Sequence, residues 1–197
     1  MRKIFFLWLL ITLAGLSAKG QAIDSTYSKY LDFNLARFQG EEAKALTLGE
    51  SLLPDAGKLS EKAKISFYFS IGKIYDDSGQ PEKALLYYNK VAAAVPDYYV
   101  VHRGIGYIYL AKADDIRTRY NAATDAATKT KLLADYEKAV RQALPHLEKA
   151  QACDPSDETL DAIKTLYKNI NDTKALSSLT VRLKTLSAHC IDLLEDN

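Results

Sequence analysis

Histidine and cysteine are the side chains of this sequence that could most readily carry chemistry. The histidines are His102, His146 and His189, and the cysteines are Cys153 and Cys190. None of them stands in an H-E-x-x-H or C-x-x-C pattern, whose spacing would bring metal ligands or a redox pair together. His189 and Cys190 are adjacent, and adjacent residues of a helix point in different directions, so they do not pair as base and nucleophile. The sequence therefore predicts no catalytic residue and no metal site.

Two further patterns resemble ligand sites but lack essential parts. Gly104-Ile105-Gly106 has no third glycine and no preceding strand, both of which a phosphate-binding loop needs. A group of aspartates lacks the alternating oxygen ligands of a calcium loop and is expected on both sides of a helical hairpin. Its members are Asp114, Asp115, Asp125 and Asp135. We expect a solvated charged surface there and no cofactor.

The first 22 residues have the layout of a secretory signal peptide. Arg2 and Lys3 precede an apolar stretch of thirteen residues, Ile4 to Leu16, and small residues follow. A stretch this short does not span a bilayer as a mature helix, and a retained membrane anchor is the alternative. No cysteine lies near the cleavage region, so a bacterial lipoprotein is not expected. We expect a periplasmic or secreted protein with no integral membrane segment after residues 1–22 are removed.

The charge of the mature chain argues against nucleic acid as a partner. Removal of residues 1–22 takes away three of the 26 basic residues and leaves 23 against 25 acidic ones, a net charge of −2. Binding to nucleic acid depends on basic side chains that neutralise phosphates. A near-neutral chain is therefore not expected to bind it.

Helical repeats organise the remaining chain, and the clearest unit is residues 65–98, ISFYFSIGKIYDDSGQPEKALLYYNKVAAAVPDY. Small, aromatic and proline residues recur in it at fixed offsets, at Tyr68, Gly72, Tyr75, Ala84, Tyr88 and Pro96. Small residues allow two helices to approach closely, aromatic rings fill the space between helices, and proline ends the second helix. An ordinary helical hairpin would explain the turn at Gly79 and Pro81 but not the whole spaced set.

This unit resembles the 34-residue tetratricopeptide repeat. The segment of residues 157–173, DETLDAIKTLYKNINDT, resembles the final repeat of exported Bacteroidetes-type proteins of that family. The resemblance covers nearly all of residues 25–190. It implies an all-α fold, in which antiparallel helix pairs form a right-handed superhelix and one helical hairpin is elongated. The units within a domain of residues 23–197 are a weak repeat at 26–60, the clear repeat at 65–98, an extended repeat at 99–156 and a final repeat at 157–190.

The third unit carries an insertion. Gly106 and Tyr109 match the first half of the pattern, whereas the second half returns only at Ala143, Ala150 and Pro155. The step from Tyr109 to Ala143 is 34 residues, against nine for the matching step in the clear repeat, so 25 residues are inserted. Apolar stripes with helical spacing continue on both sides, which predicts two lengthened helices and a tip near residues 121–130. Such an excursion can dock a partner, but its interleaved charges favour a solvated surface.

We expect the first histidine to pack between helices, whereas the sequence leaves open whether the two cysteines are bonded to each other. His102 takes the aromatic position of the third unit, so we expect it between helices. Cys153 and Cys190 can form a bridge in an oxidising compartment, or they can remain separate as small buried side chains.

The resemblance also implies a concave groove, lined by the first helix of each pair, that binds a protein or peptide. The positions that face the groove in the family correspond here to Tyr30, Asn34, Arg37, Phe69, Lys73, Arg103 and Tyr107. Cationic groups pair with carboxylates and aromatic rings give apolar area, which suits a peptide that bears both kinds of group. We expect a non-catalytic scaffold for a protein or peptide partner of the cell envelope. A small-ligand or glycan-binding accessory protein is the alternative.

Overall fold

The computed structural model describes residues 25–194, which form helices joined by short connections. The helices are α1 Ser25–Phe38, α2 Glu42–Leu52, a 3-10 helix Leu53–Lys58, α3 Glu61–Asp77, α4 Pro81–Ala94, α5 Tyr99–Ala122, α6 Ala126–Cys153, α7 Asp157–Asn169, α8 Thr173–Ser177 and α9 Leu179–Leu186. The described residues contain no strand beyond one isolated bridge between Tyr98 and Ile191. The all-α prediction is therefore confirmed. The predicted signal peptide lies outside the described residues.

Side-chain caps set the beginnings of several helices. The hydroxyl of Ser60 accepts a hydrogen bond from the backbone N–H of Ala63 at the start of α3, and Asp125 accepts one from Thr128 at the start of α6. Such caps satisfy N–H groups that have no partner inside the helix. Asp125 lies at the tip that the insertion predicts. Within the described helices, none combines the length and apolar composition needed to cross a membrane.

The helices α5 and α6 form a long antiparallel hairpin. They have 24 and 28 residues, against 17 and 14 in α3 and α4. Near one end, Leu147 lies against Gly106, and near the other the ammonium of Lys129 lies 5.6 Å from the ring centre of Tyr120. At about 1.5 Å per residue, α6 extends for roughly 40 Å. The inserted residues thus lengthen both helices, as their apolar stripes predict.

The ring of Tyr88, on α4, is enclosed by two glycines from neighbouring helices. A methyl group added at Gly72 on α3 would lie 2.8 Å from Cδ1 of Tyr88, and one added at Gly104 on α5 would lie 2.7 Å from Cε2. Tyr88 is 3% exposed, so its ring has little room to move aside. Three helices can therefore close around this ring because both facing positions lack a side chain.

The same kind of contact recurs one unit later. Gly106 follows Gly72 by 34 residues, and a methyl group added there would lie 2.8 Å from Cδ2 of Leu147. Leu147 follows the buried Ala143 by four residues, as Tyr88 follows the buried Ala84. Equivalent small and large residues therefore meet in successive helix pairs, and the two glycines of Gly104-Ile105-Gly106 both serve helix packing.

The last unit departs from a simple helix pair because its second helix is divided into α8 and α9. The guanidinium of Arg182 donates to the carbonyl of Ala175 and to the hydroxyl of Ser178 at this break, 2.7 and 2.6 Å away. It also donates to both carboxylate oxygens of Glu148, which is 4% exposed, at 2.9 and 2.6 Å. The break thus places one arginine where it satisfies a buried carboxylate of α6, and Tyr167 donates to the same carboxylate.

Replacing Gly72 with leucine should destabilise the fold, because the new side chain would overlap the enclosed ring of Tyr88. We expect the free energy of unfolding, measured by urea denaturation, to fall by roughly 1–3 kcal/mol. Gly57→Ala is the matched control, since an added methyl group there meets no atom within 4 Å. The control should change stability by less than about 0.5 kcal/mol. Equal denaturation midpoints for both variants would contradict the packing described here.

Candidate functional site

Three of the predicted groove residues line one cavity. Arg37, Phe69 and Lys73 border a space of about 410 Å³ between the end of α1, α2 and α3. Arg37 comes from the last turn of α1, and Phe69 and Lys73 lie one turn apart on α3. Apolar side chains such as Leu46 and Ile74 complete the wall. The cavity therefore combines an apolar lining with two cationic side chains and with the carboxylates of Glu42 and Asp77.

Aromatic contacts fix the ring of Phe69. It stacks on Tyr88 with ring centres 6.0 Å apart and meets the edge of Tyr98 at 5.1 Å. Both tyrosines are buried. The position of this wall of the cavity therefore follows from the packing of α3 against α4 and α5.

The two cations of the cavity differ in their partners. The ammonium of Lys73 donates to both carboxylate oxygens of Asp77 at 2.9 Å, so its charge is balanced locally. The guanidinium of Arg37 lies 4.5 Å from the ring centre of Phe38, and its Nη2 donates to the side-chain oxygen of Asn34 at 3.4 Å. Its Nε is buried and has no acceptor among the described residues. The buried Nε itself is out of reach of a ligand, but Nη2 has only the long hydrogen bond to Asn34, so the guanidinium is available to a carboxylate in the cavity.

Arg103 and Tyr107 do not line this cavity. Arg103 forms an ion pair with Asp154 in the connection after α6, and the hydroxyl of Tyr107 lies 2.9 Å from that of Thr159 on α7. Tyr107 also borders a second cavity of about 620 Å³, whose lining includes Asp76, Glu82 and Asp115. Arg103 thus makes its ion pair within the third unit, whereas Tyr107 connects the third unit to the fourth.

Tyr30 is a core residue, so its assignment to the groove is wrong. It is 2% exposed, and its ring meets the edge of Phe67 on α3 with centres 6.5 Å apart. Phe33 and Tyr30 face the core from the same side of α1, where both bury large apolar area. Asn34, in contrast, is half-buried and reaches Arg37.

The structure brings together two histidines that are 44 residues apart in the sequence. The Nδ1 atoms of His102 and His146 lie 2.9 Å apart, and Nε2 of His102 lies 2.9 Å from the carbonyl oxygen of Pro96. Because a carbonyl only accepts, Nε2 of His102 carries the proton and its Nδ1 accepts from Nδ1–H of His146. Burial lowers the pKa of both imidazoles, and His102 lowers that of His146 further, to about 4. The expected packing role of His102 therefore takes the form of a neutral hydrogen-bonded pair between α5 and α6.

The cysteines, whose state the sequence leaves open, form a disulfide. Cys153 at the end of α6 is bonded to Cys190 after α9, with Cα atoms 5.6 Å apart. Nearby, the ammonium of Lys149 donates to Asp97 at 2.8 Å and to the carbonyl of His189. No local pattern in the sequence indicates these contacts, because their partners are far apart along the chain.

No protein-family model, curated protein or solved structure matches this chain. Within residues 25–194, no group of three or more histidine, cysteine, aspartate or glutamate side chains is placed to hold a metal ion. The candidate site is therefore the cavity bordered by Arg37, Phe69 and Lys73, and its interpretation depends on its own geometry.

The histidine pair should make stability fall at mildly acidic pH. Because the folded-state pKa of His146 is lowered from 6.5 to about 4, the folded protein binds fewer protons than the unfolded chain between these values. The contribution is therefore complete above pH 6.5 and is lost as the pH falls towards 4. The urea midpoint of the wild type should decrease over this interval, and that of His146→Phe should decrease less.

The control for this titration is Gly57→Ala, which removes no titratable group and adds a methyl group that meets no atom within 4 Å. It should keep the pH dependence of the wild type. If His146→Phe loses stability with the same slope as the wild type, the buried pair is not the source of the effect.

Proposed function

We propose that this chain is an exported tetratricopeptide-type scaffold that binds a protein or peptide partner and carries out no catalysis. The single observation that carries the proposal is the cavity between α1, α2 and α3, where the cationic side chain of Arg37 and the ring of Phe69 border the same partly apolar space. A carboxylate of a bound peptide would pair with the guanidinium of Arg37, and Phe69 would contact an adjacent apolar side chain.

The repeated glycine contacts support the family assignment. Gly72 meets Tyr88, and Gly106 meets Leu147 one 34-residue step later, so two helix pairs share an equivalent close contact. Repeat proteins stack such pairs, and stacking leaves an extended face for a partner. In the proposed superhelix, the first helices α1, α3 and α5 line that face.

The disulfide supports export. A bridge between Cys153 and Cys190 persists in oxidising compartments such as the periplasm and is rare in the cytosol. It agrees with the signal peptide that the sequence predicts for residues 1–22. The proposed location is therefore the periplasm or the extracellular space.

A small-ligand or glycan-binding accessory protein is the second candidate, because a cavity of about 410 Å³ is within the range of small-molecule sites. Thermal-shift measurements separate the two candidates, since a ligand that binds the folded state raises the melting temperature. Peptides that bear carboxylates should produce the shift, and sugars should not.

Arg37→Met should weaken peptide binding while it keeps the apolar stem of the side chain. Acidic peptides selected on immobilised wild-type protein would be titrated against each variant by calorimetry. We expect a loss of about tenfold or more, because a hydrogen bond to a charged group contributes roughly 1.5–3 kcal/mol.

Lys44→Met is the matched control, because Lys44 is exposed and pairs with Glu41 on the surface. This variant should bind the peptides as the wild type does, and circular dichroism should give equal helicity for all three proteins. Equal affinities for Arg37→Met and Lys44→Met would refute the assignment of the cavity.

A further inference from the structure

The last described residues return to the middle of the fold and pair with the connection between α4 and α5. The backbone N–H of Ile191 donates to the carbonyl of Asp97 at 2.8 Å, and the N–H of Tyr99 donates to the carbonyl of Ile191 at 3.2 Å. These two bonds form the isolated parallel bridge between Tyr98 and Ile191. Residues 190–194, called the tail below, thus pair with this connection through the backbone of Ile191.

The surface beneath the tail offers more than backbone groups. The ammonium of Lys149, whose side chain is 7% exposed, donates to the carbonyl of His189 just before the tail. Leu194 packs against the core cluster that contains Tyr98. The surface therefore provides one cationic donor, one backbone donor, one backbone acceptor and an apolar contact area. Together these groups suit an extended peptide. We call residues Asp97–Tyr99 with Lys149 the docking strip.

The tail is held on the docking strip by few contacts and one covalent bond. Ile191 is 40% exposed and Leu193 is 76% exposed, so of these two side chains only Ile191 buries much of its apolar area. The disulfide from Cys190 to Cys153 fixes the beginning of the tail beside Lys149. Cys190 is exposed and Cys153 is partly buried, so we take Cys190 as the residue whose sulfur a reductant attacks.

We propose that the tail is a resident ligand of the docking strip, and that reduction of Cys153–Cys190 frees the strip for an extended apolar peptide of another protein. A dithiol reductant attacks the sulfur of Cys190 and forms a mixed disulfide, and Cys153 leaves as a thiolate that takes up a proton. The second thiol of the reductant then displaces Cys190, so two electrons and two protons pass to the protein and the reductant becomes a disulfide. The incoming peptide takes the two backbone hydrogen bonds that the tail gives up.

The docking strip is separate from the cavity at Arg37, so this proposal stands independently of the proposed function. The two sites are neighbours, since the ring of Tyr98 meets that of Phe69 at 5.1 Å. If peptides did not bind at Arg37, the proposal for the docking strip would be unaffected. If no peptide bound the docking strip, the proposed function of the cavity would likewise be unaffected.

The test uses the full chain and a fluorescent synthetic peptide with the sequence of residues 188–197, in which serine replaces Cys190. Fluorescence anisotropy would compare oxidised protein, protein reduced with dithiothreitol, and the Cys153→Ser, Cys190→Ser double variant without reductant. We expect binding to both open forms to be at least tenfold tighter than to the oxidised form. The control peptide carries an N-methyl group on Ile191, which removes the donor to Asp97, and should bind at least tenfold more weakly.

Hydrogen exchange gives a second readout that needs no peptide. The amide of Tyr99 should exchange at least tenfold faster after reduction, because its acceptor on Ile191 leaves. If the double variant does not fold, both peptide binding and hydrogen exchange are measured on the reduced wild-type protein. Equal peptide binding by oxidised and reduced protein, equal binding of the two peptides, or unchanged exchange at Tyr99 would each overturn the proposal.

Discussion

The enclosure of the Tyr88 ring between Gly72 and Gly104 is the contact on which the middle of the molecule depends. It sets how closely α3, α4 and α5 approach, and a methyl group on either glycine would lie within 3 Å of the ring. The same ring supports Phe69, which forms a wall of the cavity at Arg37. Through Phe69 it also neighbours Tyr98 and the strip that the tail occupies. Helix packing thus positions both surfaces to which we assign binding.

Polar contacts, in contrast, organise the far end of the fold. The buried carboxylate of Glu148 is satisfied by Arg182 and Tyr167, and the neighbouring ammonium of Lys149 is satisfied by Asp97 and the carbonyl of His189. Buried charges are tolerated only with such partners. The contact of Arg182 with Glu148 therefore holds α9 in place, and the contact of Lys149 with His189 holds the chain after it. The disulfide adds a covalent connection at the same position.

Much of the helical framework could be predicted from the sequence, because small and aromatic residues at repeat offsets report close contacts between helices. Gly72, Ala84 and Gly106 are buried as expected, and the apolar stripes around the insertion predict the long helices α5 and α6. The first unit is less regular, since Phe33 stands where the pattern has glycine. Its alignment with the repeat pattern therefore placed Tyr30 in the groove, whereas the structure has it in the core. Contacts between distant residues, such as His102 with His146 and Arg103 with Asp154, have no local pattern and could not be predicted.

Site-specific crosslinking tests most directly whether the face at the cavity binds a partner. A photoreactive amino acid would replace Lys73, which borders the cavity on α3, or the exposed Lys90 on α4, and both proteins would be irradiated in the native envelope. The account predicts a discrete crosslinked species from position 73 that is absent from position 90 and is lost when Arg37 is also replaced by methionine. The same products from both positions, or none from position 73, would contradict it.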